Sequence, residues 1–239
     1  MVEKSNDIVS YLEDNMDAII KDELTVKEIA DKFNVTKQLV CYRIDRIDDT
    51  VFEQRDMFIN EKLEIIRHQI MEGIPLETIF EQKFAQNFLT KRGKESIHRA
   101  KDLILNRMRS RGIVDDKDEI NRYTLVKAKL KNYVNILQIE HALNNSDELN
   151  TNKAEISRLY HASYVKVLEI SKDMKKSPEY RALQNLPQGA YKTMIRNIKM
   201  TIQYQKGSSL SDLNEQYTDI DSKDLKRIIE SYKPYIILK

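Results

Sequence analysis

Across residues 24–47 the apolar side chains keep helical intervals on both sides of a single break, which restricts the fold more than any other stretch of the chain. Ile29, Ala30 and Phe33 fall on one face of a first short helix. Asn34 and Val35 fit a tight turn, because Asn tolerates the left-handed backbone that such a turn often needs. Thr36 suits the cap of the next helix, where its hydroxyl accepts from free backbone amides. Leu39, Val40 and Ile44 then fit that helix's inner face, and the small side chain of Ala30 lets the two helices approach closely.

This pattern resembles the helix-turn-helix family of bacterial and phage regulators. In that family the second helix enters the DNA major groove and its first turns read base edges. The resemblance implies a sequence-specific, double-stranded DNA-binding transcriptional regulator, with Thr36, Lys37, Gln38, Tyr42 and Arg43 facing the duplex. Gln38 suits an adenine edge and Lys37 a guanine or a phosphate, while Tyr42 and Arg43 suit the backbone. Thr36 stands at a helix N-terminus, which favours an anion. Asp31, Asp45, Asp48 and Asp49 oppose this reading, since they repel phosphate. They imply a limited footprint, or a first segment that depends on basic residues elsewhere for affinity.

Those basic residues lie further along. Residues 1–60 carry eight Lys and Arg against fourteen Asp and Glu, about −6 in all. Over residues 91–111 the sign reverses, with eight Lys and Arg facing only Glu95 and Asp102. Lys91, Arg92, Lys94, His98 and Arg99 form the natural phosphate set there, the alternative being an ordinary solvated face. The overall net charge of +2 argues against a protein that coats polyanions.

The same three-part pattern, a long amphipathic leader followed by two shorter helices, recurs along the chain. The first leader carries Ile8, Leu12, Met16, Ile19 and Ile20. A second copy is read from a leader with Phe58, Leu63, Ile66 and Ile70, a break at residues 73–75, a short helix through Ile79 and Phe84, and a helix over about residues 94–108 with Ile97, Leu103 and Ile104 inward. A third matches the first without gaps: Ile156, Ser157, Tyr160, His161, Ala162, Ser163 and Val167 stand where Ile29, Ala30, Phe33, Asn34, Val35, Thr36 and Val40 stand. Its outward residues are Ser163, Tyr164, Val165 and Lys166, a less polar set suited to DNA or to packing. A fourth has a leader over residues 191–204, then Leu210, Leu213 and Tyr217, with one extra turn residue bringing Asp221 or Ser222 to the cap. Seams at residues 48–50, 112–118 and 177–189 divide the chain into units 1–50, 51–113, 114–177 and 178–239.

Five Gly, four Pro and no Trp leave few turns, which disfavours all-β and Gly-rich nucleotide-binding folds. No apolar run approaches the length needed to cross a bilayer, and the N-terminus carries Glu3, Asp7, Glu13 and Asp14 in place of a secretory signal. The single cysteine, Cys41, rules out an internal disulfide framework and fits a reducing cytoplasm; it reads as a small filler on the second helix before it reads as a redox thiol. His68, His98, His141 and His161 are too far apart for metal-ligand spacing, and no P-loop or dinucleotide fingerprint is present. Neither a catalytic centre nor a cofactor is expected.

The expectation is therefore an all-α, elongated tandem array of tri-helical, helix-turn-helix-like units in the cytoplasm. It would bind double-stranded DNA as a repressor of a phage, plasmid or bacterial operon, the richness in Lys, Ile and Asn fitting an AT-rich genome. Self-association as a dimer or a regulatory protein partner stays open, and no membrane role is expected. Two alternatives remain: a small sigma-like or plasmid replication or partition factor, and a helical inhibitor that uses the same helix pairs to grip a host protein. The apolar C-terminal run through Tyr232, Tyr235, Ile236, Ile237 and Leu238 docks internally in the favoured reading and joins a second chain in the other.

Overall fold

The computed structural model describes residues 2–86, 97–146, 151–172 and 177–238, with side chains from residue 7 onward and not at position 117. Among the described residues there are 15 α-helices and one short 3-10 turn, and no strand. The chain is all-α, as its scarcity of Gly and Pro implies. It packs as two compact units, the first from Met1–Ile66 with Phe80–Asp115 and the second from Arg67–Ile79 with Asp116–Lys239. These differ from the four segments drawn from the sequence, because side chains far apart in the chain share each core.

In the first unit, α1 (Val2–Ile20), α2 (Val26–Phe33), α3 (Lys37–Ile47) and the start of α4 (Val51–Met71) enclose Ile8, Leu12, Ile19, Ile29, Ala30, Val40, Ile44 and Val51. Burial of this stripe, not intrinsic propensity, is what holds helices as short as α2. Asp22 follows α1 in the left-handed region at φ 57° and is 8% exposed. Arg55 of α4 and Arg107 of α7 (Ile97–Ser110) both pair with its carboxylate, the latter at 3.1 Å. Arg111 adds bonds of 2.8 Å to both Asn60 and Asp56 of α4. A single turn, α6 (Lys83–Gln86), sits between these helices in sequence, and its Lys83 meets Glu23 at 2.5 Å.

The second copy of the tri-helical pattern is not built as read. Its short helix is one turn, α5 (Leu76–Ile79), and α5 belongs to the second unit while α6 and α7 belong to the first. Long-range bonds explain the assignment. The Leu76 amide donates to the Leu125 carbonyl at 2.9 Å, and the Glu77 carboxylate accepts from the Lys127 amide at 3.0 and 3.1 Å, capping a helix fifty residues on. In α7 the buried face is Ala100, Ile104, Leu105 and Met108, whereas Leu103, read as inward, is 40% exposed.

The second unit continues with α8 (Lys117–Tyr123), α9 (Lys127–Asn144), α10 (Lys153–Leu159), α11 (Tyr164–Ser171), α12 (Pro178–Gln184), α13 (Gln188–Gln205), α14 (Leu210–Gln216) and α15 (Ser222–Tyr232). The fourth copy forms as α13, α14 and α15, with Ser209 capping α14 and Asp221 capping α15. Buried polar pairs tie the end of α4 and α5 to it: Gln69 donates to Asp224 at 2.9 Å, Thr78 shares a 3.0 Å bond with Ser231, and Asn197 donates to the Glu72 carbonyl at 2.7 Å. Arg196 pairs with Glu72 as well. Tyr232 is fully buried, and its hydroxyl donates to the Gly73 carbonyl at 3.2 Å. The C-terminal run docks internally: a 3-10 turn over Lys233–Tyr235 leads to Ile236, which is buried, and Gln138 of α9 bonds both the amide and the carbonyl of Ile237.

Candidate nucleic-acid interface

The α2–α3 pair is organised by its caps. Thr25 and Glu28 form a reciprocal capping box that starts α2, a Thr-x-x-Glu signal present in the sequence and overlooked there. Asn34 ends α2 with φ 51° and ψ 52°, in the left-handed region anticipated for it. The amides of Asn34 and Val35 turn back to the carbonyls of Asp31 and Ala30, at 3.4 and 3.0 Å. The Thr36 hydroxyl accepts from the Leu39 amide at 3.3 Å and opens α3. Ile29, Val40 and Ile44 are fully buried, and Ala30 is 4% exposed.

Leu39 departs from expectation: it is 38% exposed and faces outward. One residue along a helix is a turn of about 100°, so with Val40 and Ile44 fixed inward Leu39 is carried to the flank of the exposed face. Thr36, Lys37, Gln38 and Tyr42 are exposed as expected, and Arg43 is half-buried. Arg46 was not selected from the sequence. Its Nε donates to the Tyr42 hydroxyl at 3.0 Å and its guanidinium lies 5.4 Å from that ring's centre. Gln38, Tyr42 and Arg46 stand four residues apart, so they form one row along the outer face of α3, a spacing that was visible in the sequence.

The charge around this row is mixed. Asp31, Asp45 and Asp49 are exposed. Asp48 accepts from the hydroxyl and the amide of Thr50, at 2.6 and 2.9 Å, and these bonds hold its carboxyl below the usual carboxylate range. Negative charge therefore persists at the C-terminal end of α3, and its cationic residues are Lys37 in the first turn, the half-buried Arg43 and the exposed Arg46.

The third copy reproduces the geometry of the first at a constant offset. Asn152 and Glu155 form the capping box of α10, matching Thr25 and Glu28. His161 takes the left-handed position of Asn34, at φ 49°, and the Ala162 amide donates to the Ser157 carbonyl at 3.0 Å. Ser163 accepts from the Lys166 amide at 3.1 Å, as Thr36 does from Leu39. Ser157 adds a bond that Ala30 cannot make, from its hydroxyl to the Ala162 carbonyl at 2.7 Å. On the outer face Ser163 is exposed, Tyr164 and Val165 are 48% and 64% exposed, and Lys166 is half-buried.

Of the basic cluster, His98 and Arg99 are exposed in the first turn of α7, while Lys91, Arg92 and Lys94 lie outside the described residues. Arg107 turns to the buried Asp22 and Arg111 is tied to Asp56 and Asn60 on the surface of the first unit, so among the described residues these two cations of the cluster are already paired within the protein. Cys41 is half-buried on α3. Among the described residues no group of three His, Cys, Asp or Glu side chains is placed to hold a metal ion, and no helix is long and apolar enough to cross a membrane. No protein-family model, curated protein or solved structure matches this chain.

Proposed function

We propose that the chain is a sequence-specific double-stranded DNA-binding regulator that presents the outer face of α3 to the major groove. The observation that carries this reading is the exposed row of Gln38, Tyr42 and Arg46 on the second helix of a pair whose turn is locked by left-handed Asn34 and capping Thr36. A rigid helix with an outward amide can place two hydrogen bonds on an adenine edge, and Gln38 is the residue for it. Lys37 reaches guanine or phosphate. Tyr42 and Arg46 hold each other in position and suit adjacent phosphates, and the α3 N-terminus at Thr36 favours one more. Ser163, Tyr164 and Lys166 open a second helix of the same geometry, with Val165 suited to a thymine methyl. Bound across a promoter in the cytoplasm, such a protein would act as a repressor of a phage, plasmid or bacterial operon by occupying the polymerase's site.

The test is selection of bound duplexes from a random pool, followed by affinity measured at two salt concentrations. An enriched motif is expected, with Gln38→Ala costing about 1–3 kcal/mol on the preferred site and relaxing one position of it. With about three phosphate contacts, log K should fall with log salt at a slope near −3. No binding at low salt would refute the proposal. A second reading, a helical module that grips another protein, draws on the exposed Leu39, Tyr164 and Val165 and on the acidic residues around α3. It predicts that Val165→Asp abolishes partner binding while DNA affinity is absent throughout.

A further inference from the structure

Unit two contains a cavity of about 580 Å3 with a one-sided character. Its walls are mainly aliphatic: Leu137 and Ala142 from α9, Ile195, Ile198 and Ile202 from α13, and Ile237 from the C-terminal run. Ile195, Ile198 and Ile202 recur at intervals of three and four residues, so they make one stripe along α13. The charged side chains that line the cavity are Lys199, beside the stripe, and Lys206, at the end of α13, and both are exposed. They stand about 10 Å apart along the helix axis. No Asp or Glu lines the cavity among the described residues. The wall formed by the chain end is built in advance, because the Gln138 amide donates to the Ile237 carbonyl at 3.2 Å and accepts from its amide at 3.4 Å. Tyr160, which closes α10 just before the turn of the third copy, is a further lining residue.

We propose that this cavity is a binding site for a small anionic amphiphile, a medium-chain carboxylate whose alkyl chain lies along the Ile195–Ile198–Ile202 stripe and whose head pairs with Lys199 and Lys206. The volume lies within the range of about 300–1,000 Å3 usual for small-molecule sites. An aliphatic interior favours an alkyl chain by burying its surface, and a rim whose formal charges are all positive selects a negative head over a positive one. Bound there, the alkyl chain touches Tyr160, whose carbonyl accepts from Asn135 at 2.9 Å, so the ligand meets the end of α10 directly.

The full chain is titrated with monomeric dodecanoate by equilibrium dialysis, beside dodecyltrimethylammonium and anionic phosphatidylglycerol vesicles. One saturable dodecanoate site per chain is expected, with the cationic amphiphile at least about tenfold weaker. Joint reversal of the rim, Lys199→Glu with Lys206→Glu, changes exposed positions; it should weaken dodecanoate by at least about tenfold and strengthen the cation. Ile202→Trp, which fills the cavity, should remove binding of both. Three results would overturn the proposal: no saturable dodecanoate binding, equal affinity for the two amphiphiles with no response to the rim reversal, or binding to vesicles alone. So would self-association that Ile202→Trp abolishes in the absence of any dodecanoate site, since a second copy would then be the occupant.

Discussion

Gly73→Ala offers a quantitative test of how the second unit is locked together. Gly73 has φ +74°, and a Cβ built there would lie 2.9 Å from the Tyr232 hydroxyl and 3.2 Å from the Asn197 amide nitrogen. Tyr232 and Asn197 are both fully buried, so a shift of either disturbs the packing around it. The left-handed backbone alone costs an L-residue about 1–2 kcal/mol. Displacing the hydroxyl weakens the 3.2 Å bond to the Gly73 carbonyl, worth about 0.5–1.5 kcal/mol net, and strains the Asn197 contact to Glu72. The expected loss is about 2–4 kcal/mol, read by urea unfolding with hydrogen exchange resolving the two units. Gly112→Ala is the control: φ is +68° and nothing lies within 4 Å of the new Cβ, so only the backbone cost of about 1–2 kcal/mol remains. Tyr232→Phe removes the atom that the Cβ meets. In the double variant Gly73→Ala with Tyr232→Phe, the two losses should therefore sum to more than the measured total by about 1 kcal/mol. Equal losses at Gly73 and Gly112, together with an additive double variant, would refute the steric account.

Asp22→Ala should destabilise the first unit by about 3 kcal/mol, because it removes the largely desolvated carboxylate that Arg55 and Arg107 share; thermal unfolding would read this as a lower melting temperature. Alkaline pH should affect the two units unequally. Burial raises the tyrosine pKa at Tyr133, Tyr160, Tyr191 and Tyr232, with Glu140 adding to the effect at Tyr191, and all four lie in the second unit. A folded-state pKa above the unfolded value of 10.0 means the stabilisation is complete below pH 10 and is lost as the pH rises beyond it. Each such tyrosine that stays protonated contributes a loss of up to about 1.4 kcal/mol per pH unit, so hydrogen exchange between pH 10 and 11 should accelerate more in the second unit than in the first. Asn34→Ala should cost about 1 kcal/mol while Asn34→Gly should be near neutral, because alanine takes the left-handed region at a cost whereas glycine takes it freely; circular dichroism melts distinguish them.

Much of this chain is written in short-range chemistry. The helical intervals of Ile29, Ala30 and Phe33, the left-handed turn at Asn34 and the hydroxyl cap at Thr36 each involve neighbours within about five residues, and all are present as read. The gapless correspondence of the third copy holds down to His161 taking the Asn34 conformation, because both copies meet the same local demand. Leu39 marks where periodicity fails: an apolar residue beside Val40 satisfies a loose helical pattern, but only packing decides which of two neighbours turns inward.

The remainder was decided by partners far apart in sequence. Nothing local in the second copy signals that Glu77 caps α9, that Gln69 meets Asp224, or that Gly73 lies under Tyr232, and these contacts draw α5 into a different unit from α6 and α7. Likewise, the run of positive charge over residues 91–111 reads as one surface in sequence, yet Arg107 and Arg111 turn to Asp22 and Asp56. The aliphatic cavity has the same origin, since α9, α13 and the chain end meet only in three dimensions. Sequence alone thus determined the α2–α3 pair, its counterpart in the third copy, the caps of both and the outward row on α3, since each follows from the chain's own neighbours. Tertiary structure decided which helices share a core and which charges face solvent, because a side chain's burial depends on what folds back over it.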